Sequence, residues 1–168
     1  AAGIDPNVEE IFGAQNIGHQ IVVLPDGRLV NVSQARFVTS EQNFFARTII
    51  RSFDKGDTWE QTATIIPSTT VGGFVAVDAE LANASGGTVV NTIRSAGSIP
   101  DIAVNRTNGF MYVVWQDVDP TFSFIGVFMS MSKDGGDTWS DHIIVGGGDL
   151  TPDGFDSFAQ LPAVHVAD

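Results

Sequence analysis

The chain has no cysteine, a single tyrosine, and only two lysines and six arginines against 20 acidic residues in 168. Each scarcity removes a class of protein. Without thiols there is neither a disulfide framework nor a cysteine-ligated metal centre, and the redox compartment is not written in the sequence. A formal charge of −12 repels phosphate backbones and anionic lipid, so no nucleic-acid partner is expected. No apolar run approaches the roughly 18 residues of a membrane-spanning helix, and no membrane insertion is expected. No charged-then-apolar signal opens the chain, although Ala1-Ala2-Gly3 is compatible with a remnant of signal cleavage.

Stretches of Ala, Leu, Glu and Lys at helical spacing are also missing. In their place stand 18 Gly, seven Pro, 12 Phe and many Val, Ile and Thr, a composition of strands joined by turns. With 43% apolar residues, 168 residues suffice for one domain with a core. The expected class is all-β.

Organisation follows from an internal repeat. Ser52-Phe53-Asp54-Lys55-Gly56-Asp57-Thr58-Trp59 recurs 80 positions later as Ser132-Lys133-Asp134-Gly135-Gly136-Asp137-Thr138-Trp139, with six identities in eight positions. An apolar stretch runs into each box (Phe44 to Ile50, Phe124 to Ser130) and another leaves it (Glu60 to Ile66, Ser140 to Gly146), which makes each box a hairpin turn. Upstream, Gln20-Ile21-Val22-Val23, Pro25-Asp26-Gly27 and Leu29 to Val32 match Asp101-Ile102-Ala103-Val104, Thr107-Asn108-Gly109 and Met111 to Val114, a second hairpin per unit. Two units of four antiparallel strands, 20–66 and 100–146, have the length and layout of propeller blades. Leu161 to Asp168 restates Ile99 to Arg106, the first strand of a third unit. The expected division is an N-terminal segment 1–19, a blade 20–66, an insertion 67–99, a blade 100–146, and a loop with the next first strand at 147–168. Two blades leave apolar sheet faces without a partner, so the chain is expected to belong to a longer propeller or to complete a ring with other copies of itself.

The box residues themselves suit a structural task. An Asp carboxylate accepts from turn amides and neighbouring hydroxyls, Gly supplies a positive φ, and Trp covers the turn. Ser52, Asp54, Gly56, Thr58 and Trp59, and Ser132, Asp134, Gly136, Thr138 and Trp139, are therefore expected to staple hairpins rather than to catalyse. The pattern Ser-x-Asp-x-Gly-x-Thr-Trp resembles the Asp box of the bacterial neuraminidase repeat. That resemblance implies a sialidase-like β-propeller built of four-stranded antiparallel blades, secretion or surface display, and action on or binding of glycans, in the manner of an exo-sialidase or related glycoside hydrolase. A non-catalytic interaction or assembly module on the same blades is the alternative.

Antiparallel order puts the boxes and the short turns on one side and the longer loops, 34–43, 67–99, 116–123 and 147–160, on the other, where a ligand is expected. That face offers Arg36, Glu41, Arg94, Asp101, Asp117 and Asp119. The resemblance implies three arginines on a substrate carboxylate, a Tyr–Glu nucleophile pair and an Asp acid/base. Arg28 and Arg106 fall on the opposite turns, Arg47 and Arg51 lie along a strand, and the lone Tyr112 reads as packing, so a complete centre is not visible. No cofactor is expected. Asp149, Asp153 and Asp156 are the candidates for calcium, though without the spacing of an EF-hand loop. His19, His142 and His165 have no metal-ligand spacing and read as solvated or packed. Of the glycosylation sequons at Asn31, Asn83 and Asn105, only Asn83 falls in an open loop.

Overall fold

The computed structural model describes residues 13–38, 43–71, 99–118, 125–146 and 162–167. These residues hold eight strands and no helix: β1 (Gly13–Val23), β2 (Leu29–Val38), β3 (Asn43–Ser52), β4 (Thr64–Val71), β5 (Asp101–Val104), β6 (Met111–Val118), β7 (Ile125–Ser132) and β8 (Ile143–Gly146). They form two antiparallel sheets in simple sequential order, β1-β2-β3-β4 and β5-β6-β7-β8, one for each copy of the repeat.

Strand alternation decides what each sheet buries. The pairs Val30↔Arg51, Val32↔Ile49 and Gln34↔Arg47 put these six side chains on one face of the first sheet. In the second sheet, Ile102↔Val113, Met111↔Ser132, Trp115↔Phe128 and Asp117↔Gly126 share a face. The two faces meet. Val30, Val32, Ile49, Ile66, Ile102, Met111, Val113, Trp115 and Phe128, with Leu24 from the first turn, make one buried cluster between the sheets. Burying side chains of this size contributes roughly 1.5–3 kcal/mol each. β2 is buried on both parities, Asn31, Ser33 and Ala35 as well as Val30, Val32 and Gln34.

The packing is head-to-tail. Leu29 corresponds to Met111 in the repeat, so Val30, Val32 and Gln34 correspond to Tyr112, Val114 and Gln116, not to the Met111–Val113–Trp115 row they pack against. The first unit thus meets the second through one face of its sheet, and the second meets the first through the opposite face. β1 runs beside β5. Their approach is close because Gly18, at φ 67° in the β1 bulge, has no side chain: a Cβ there would lie 2.5 Å from Ile99 Cγ2. A segment in 162–167 lies next to β5, tied by Val164 N donating to Asp101 Oδ2 at 2.9 Å.

The strands are longer on the loop side than the sequence pattern suggests. β1 begins at Gly13, and β2 and β3 stay in register out to Val38↔Asn43, so most of 34–43 is ladder rather than loop. β6 continues through Gln116 and Asp117 to Val118. The fourth strand of the first sheet starts at Thr64 and runs to Val71. Residues from Glu60 belong instead to the end of the box turn, where Glu60 N donates to Arg51 O at 2.9 Å. Residues 72–98, the bulk of the expected insertion, lie outside the described residues.

Candidate functional site

The two ends of the sheet pair differ in chemistry. At the box end, the first hairpin turn (24–28), the corresponding turn of the second sheet (105–110) and both boxes carry dense local bonding. In the first box Ser52 Oγ donates to Asp54 Oδ1 at 2.8 Å and accepts from Gly56 N at 2.7 Å. Thr58 donates twice to the same carboxylate, from N to Oδ1 at 2.8 Å and from Oγ1 to Oδ2 at 2.6 Å. The second box repeats the network: Ser132 Oγ donates to Asp134 Oδ1 (2.9 Å), Gly136 N to Ser132 Oγ (2.9 Å), Thr138 N to Asp134 Oδ1 (3.0 Å) and Thr138 Oγ1 to Asp134 Oδ2. Gly56 and Gly136 stand at φ 103° and 93°. The threonine hydroxyls, then the threonine amides, hold both carboxyls down to about 2. A carboxyl of that acidity carries no proton at neutral pH and cannot serve as a general acid.

Side chains around the boxes link the two sheets. Arg51 forks onto Glu60, Nε to Oε2 at 2.9 Å and Nη2 to Oε1 at 2.6 Å, and reaches across to Asp137 of the second box with Nη1. Trp139 packs on the inter-sheet core. In each unit a cation lies over an aromatic ring, with the positions exchanged. Arg28 lies 5.8 Å from the Phe53 centroid, whereas Lys133, in the place of Phe53, lies 5.6 Å from Phe110, in the place of Arg28.

The loop end of the inter-sheet layer is polar. Arg47, on β3, is fully buried, with Nη1 3.5 Å from Asp117 Oδ2, Nη2 donating to Gln116 O at 3.3 Å, and its guanidinium 4.7 Å from the Trp115 ring centroid. Trp115 Nε1 donates to the same Asp117 oxygen at 3.2 Å. Burial pulls the Arg47 pKa down and the Asp117 carboxylate opposes it. Arg47 Nε and Gln34 Oε1, cross-strand neighbours on this face, are buried and have no hydrogen-bond partner among the described residues. One step further out on β2 is Arg36, half-buried, with no ion pair or hydrogen bond among the described residues.

Of the residues the sequence nominated for the loop face, Arg36 is thus at the loop end with its donors unused. Asp117 is at that end too, but inside a strand and 1% exposed, engaged by Arg47 and Trp115. Asp101 points the other way, toward Val164. Glu41, Arg94, Asp119, Asp149, Asp153 and Asp156 lie outside the described residues. Among the described residues no three His, Cys, Asp or Glu side chains converge as metal ligands. His142 packs edge-on against Trp115 and Phe128, and His19 Nδ1 meets Asn31 Nδ2 at 3.1 Å. Asn31 is buried between strands, and Asn105 accepts from the amides of Thr107 and Asn108. Sequence reading set Arg47 aside as a strand residue and passed over Gln34 and Gln116. The available signal was polar residues at strand positions whose neighbours two residues away are core, as in Val32-Ser33-Gln34 and Val114-Trp115-Gln116. No protein family model matches the chain, and no curated protein matches it.

Proposed function

We propose that the chain is part of a secreted or surface-displayed sialidase-like β-propeller that binds glycans, related to exo-sialidases and other glycoside hydrolases, with its chemistry depending on groups beyond those described. The observation that carries this reading is the head-to-tail packing of two four-stranded sheets whose third and fourth strands are joined by boxes of identical bonding. A heterologous contact of this kind extends by repetition and closes into a ring when the rotation per unit allows. The segment docked on Asp101, beside β5 as β5 is beside β1, fits the first strand of a following blade. At the loop end, Arg36 supplies an unengaged guanidinium of the type that pairs with the carboxylate of an acidic sugar.

The test is a glycan array together with a fluorogenic sialoside assay on the complete protein. Binding to acidic glycans that Arg36→Ala abolishes, with or without turnover, is the expected result. Silence in both assays removes the glycan reading.

A second reading, a non-catalytic assembly module, is favoured by exposed apolar side chains on the two outer strands: Ile17, Ile21 and Val23 on β1, and Ile143, Ile144 and Val145 on β8. Light scattering distinguishes it. Concentration-dependent assembly together with silent glycan assays supports this reading, and a stable monomer at all concentrations removes it.

A further inference from the structure

The turns at the box end enclose a cleft of about 400 Å³ between the sheets, bordered by Pro25, Asp26 and Arg28 of the first sheet and by Thr107, Asn108, Lys133 and Gly135 of the second, among others. It is remote from the loop end, and nothing above gives it a task. Its acceptors are already engaged. Asp26 receives Arg28 N on Oδ1 at 3.0 Å and Arg28 Nε on Oδ2 at 2.7 Å. Both oxygens of Asp134 are held by its own box, and Asn108 Oδ1 accepts from Phe110 N at 2.9 Å.

Its donors are not engaged. A guanidinium carries five N–H groups, and of those on Arg28 only Nε–H has an acceptor. Among the described residues Nη1 and Nη2 have none, and neither does Lys133 Nζ, which lies over the Phe110 ring. The Arg28 fork is also held in place from three directions. Asp26 grips Nε, the Phe53 ring lies 5.8 Å from the guanidinium carbon, and the bare backbone of Gly135 lies against the fork so closely that a Cβ there would come within 2.6 Å of Nη2 and 2.7 Å of Nη1. The corresponding residue of the first box is Lys55, at φ 63°, so the turn itself accepts a side chain at this position. A side chain at 135 would push the Arg28 fork out of its present position.

A fixed fork with its outer edge unpaired, a neighbouring ammonium, and carboxylates already committed to their own turns together form a site for a planar oxyanion. We infer that the box-end cleft binds a carboxylate, presented by a small acidic molecule and seated on Arg28 Nη1 and Nη2 with Lys133 alongside. The net charge of the chain disfavours anions at long range, but at physiological ionic strength that field fades within about 8 Å, and the local donors decide. With partly exposed donors the affinity falls in the millimolar range. The site does not rest on the glycan reading of the loop end, and Arg36→Ala leaves it intact.

The test is a titration of the 168-residue chain, followed by amide NMR at constant ionic strength, with sodium glucuronate, with N-acetylaspartate amide, and with glucose and sodium chloride as controls. The expected result is saturable shifts at Gly27, Asn108 and Gly135 with one or both carboxylates and none with glucose or chloride. The tighter of the two tells a sugar acid from an acidic peptide side chain as the source. Arg28→Gln weakens binding at least about tenfold by removing the fork. Gly135→Ala does the same with every charge retained, because it displaces the fork, and Lys133→Gln weakens binding a few-fold. The inference is overturned if neither carboxylate shifts these amides, if chloride reproduces the shifts, or if Arg28→Gln and Gly135→Ala, both folded by their amide spectra, bind as the parent does.

Discussion

Asp117→Leu leaves the Arg47 guanidinium buried with no counter-charge, and the structure allows the consequence to be sized. The pair is sealed, at 0% and 1% side-chain exposure, yet poorly aligned, with 3.5 Å between Nη1 and Oδ2 and Nε without any acceptor. At an effective dielectric of about 20, two unit charges at that separation attract by about 5 kcal/mol. Desolvation takes back several kcal/mol for each ion. The pair therefore adds little net stability while making Asp117 indispensable to the buried Arg47. Asp117→Leu is expected to cost about 3–5 kcal/mol, the penalty of an uncompensated buried charge, and Arg47→Met less, because Asp117 keeps the bond from Trp115. Combined, Arg47→Met with Asp117→Leu gives an apolar layer continuous with Val32, Ile49 and Trp115, and the double variant is expected to lie within about 1 kcal/mol of the parent or above it. Urea unfolding of all four proteins at pH 7 closes the double-mutant cycle. A double variant as unstable as Asp117→Leu alone, or a single substitution costing under about 1 kcal/mol, would refute the assignment of a coupled buried pair.

Gly18→Ala combines a left-handed conformation with overlap onto Ile99, and thermal or urea unfolding should register a loss of about 2–4 kcal/mol; a neutral outcome would mean that β1 and β5 are not in close contact. Arg51→Met, which installs the residue found at the equivalent position 131, gives up the Glu60 fork and the reach to Asp137. It should cost about 1 kcal/mol in the same assay, a small figure because Asp137 is 60% exposed. Asp54 and Asp134 have folded pKa values depressed to about 2 from 3.8, so the stability they contribute is complete above about pH 4 and is lost as the pH falls toward 2. Carbon-detected titration of the two carboxyls should show Thr58→Val and Thr138→Val raising them toward the ordinary value. Unchanged titrations would remove the threonine hydroxyls as the cause.

The sequence is most legible where backbone geometry dictates residue type. The boxes, the Asp26-Gly27 and Asn108-Gly109 turns and the strand count are local matters, settled by positive φ, short side-chain acceptors and alternation, and each can be read from a few adjacent letters. Strand ends are less legible. Nothing in Gln34 to Val38 marks the continuation of β2, because two of the residues that carry the ladder onward, Gln34 and Arg36, are polar and break the apolar alternation that a strand is read from. The same holds for Asp117. In the chain it reads as a loop carboxylate next to Asp119; in the fold it faces Arg47, 70 positions earlier. A pairing between residues so far apart follows from the inter-sheet register, which no local pattern encodes.

Comparison of the two units separates scaffold from function. Where a backbone N–H merely needs an acceptor, the repeat changes the residue freely: the amide before each box is taken by Glu60 in one unit and by Ser140 in the other, both at 3.0 Å. Where a cation must lie on a ring, it exchanges the two partners. Where two oxygens must occupy fixed positions, as in Ser-x-Asp-x-Gly-x-Thr, it changes nothing. Gln34 and Gln116 also occupy equivalent positions, which marks them as part of the common frame. Arg36 and Arg47 correspond to Val118 and Val127, Arg28 to Phe110 and Arg51 to Met131, so these four guanidiniums are peculiar to the first unit. Folding a repeat unit does not require them, since the second unit lacks all four and forms the same sheet with the same box. A chain this acidic nevertheless places four unrepeated arginines at the contact between its sheets: Arg36 at the loop end, Arg47 sealed against Asp117 below it, Arg51 reaching across to the second box, and Arg28 in the box-end cleft, so the positive charge of that contact belongs to the first unit and not to the motif the chain repeats.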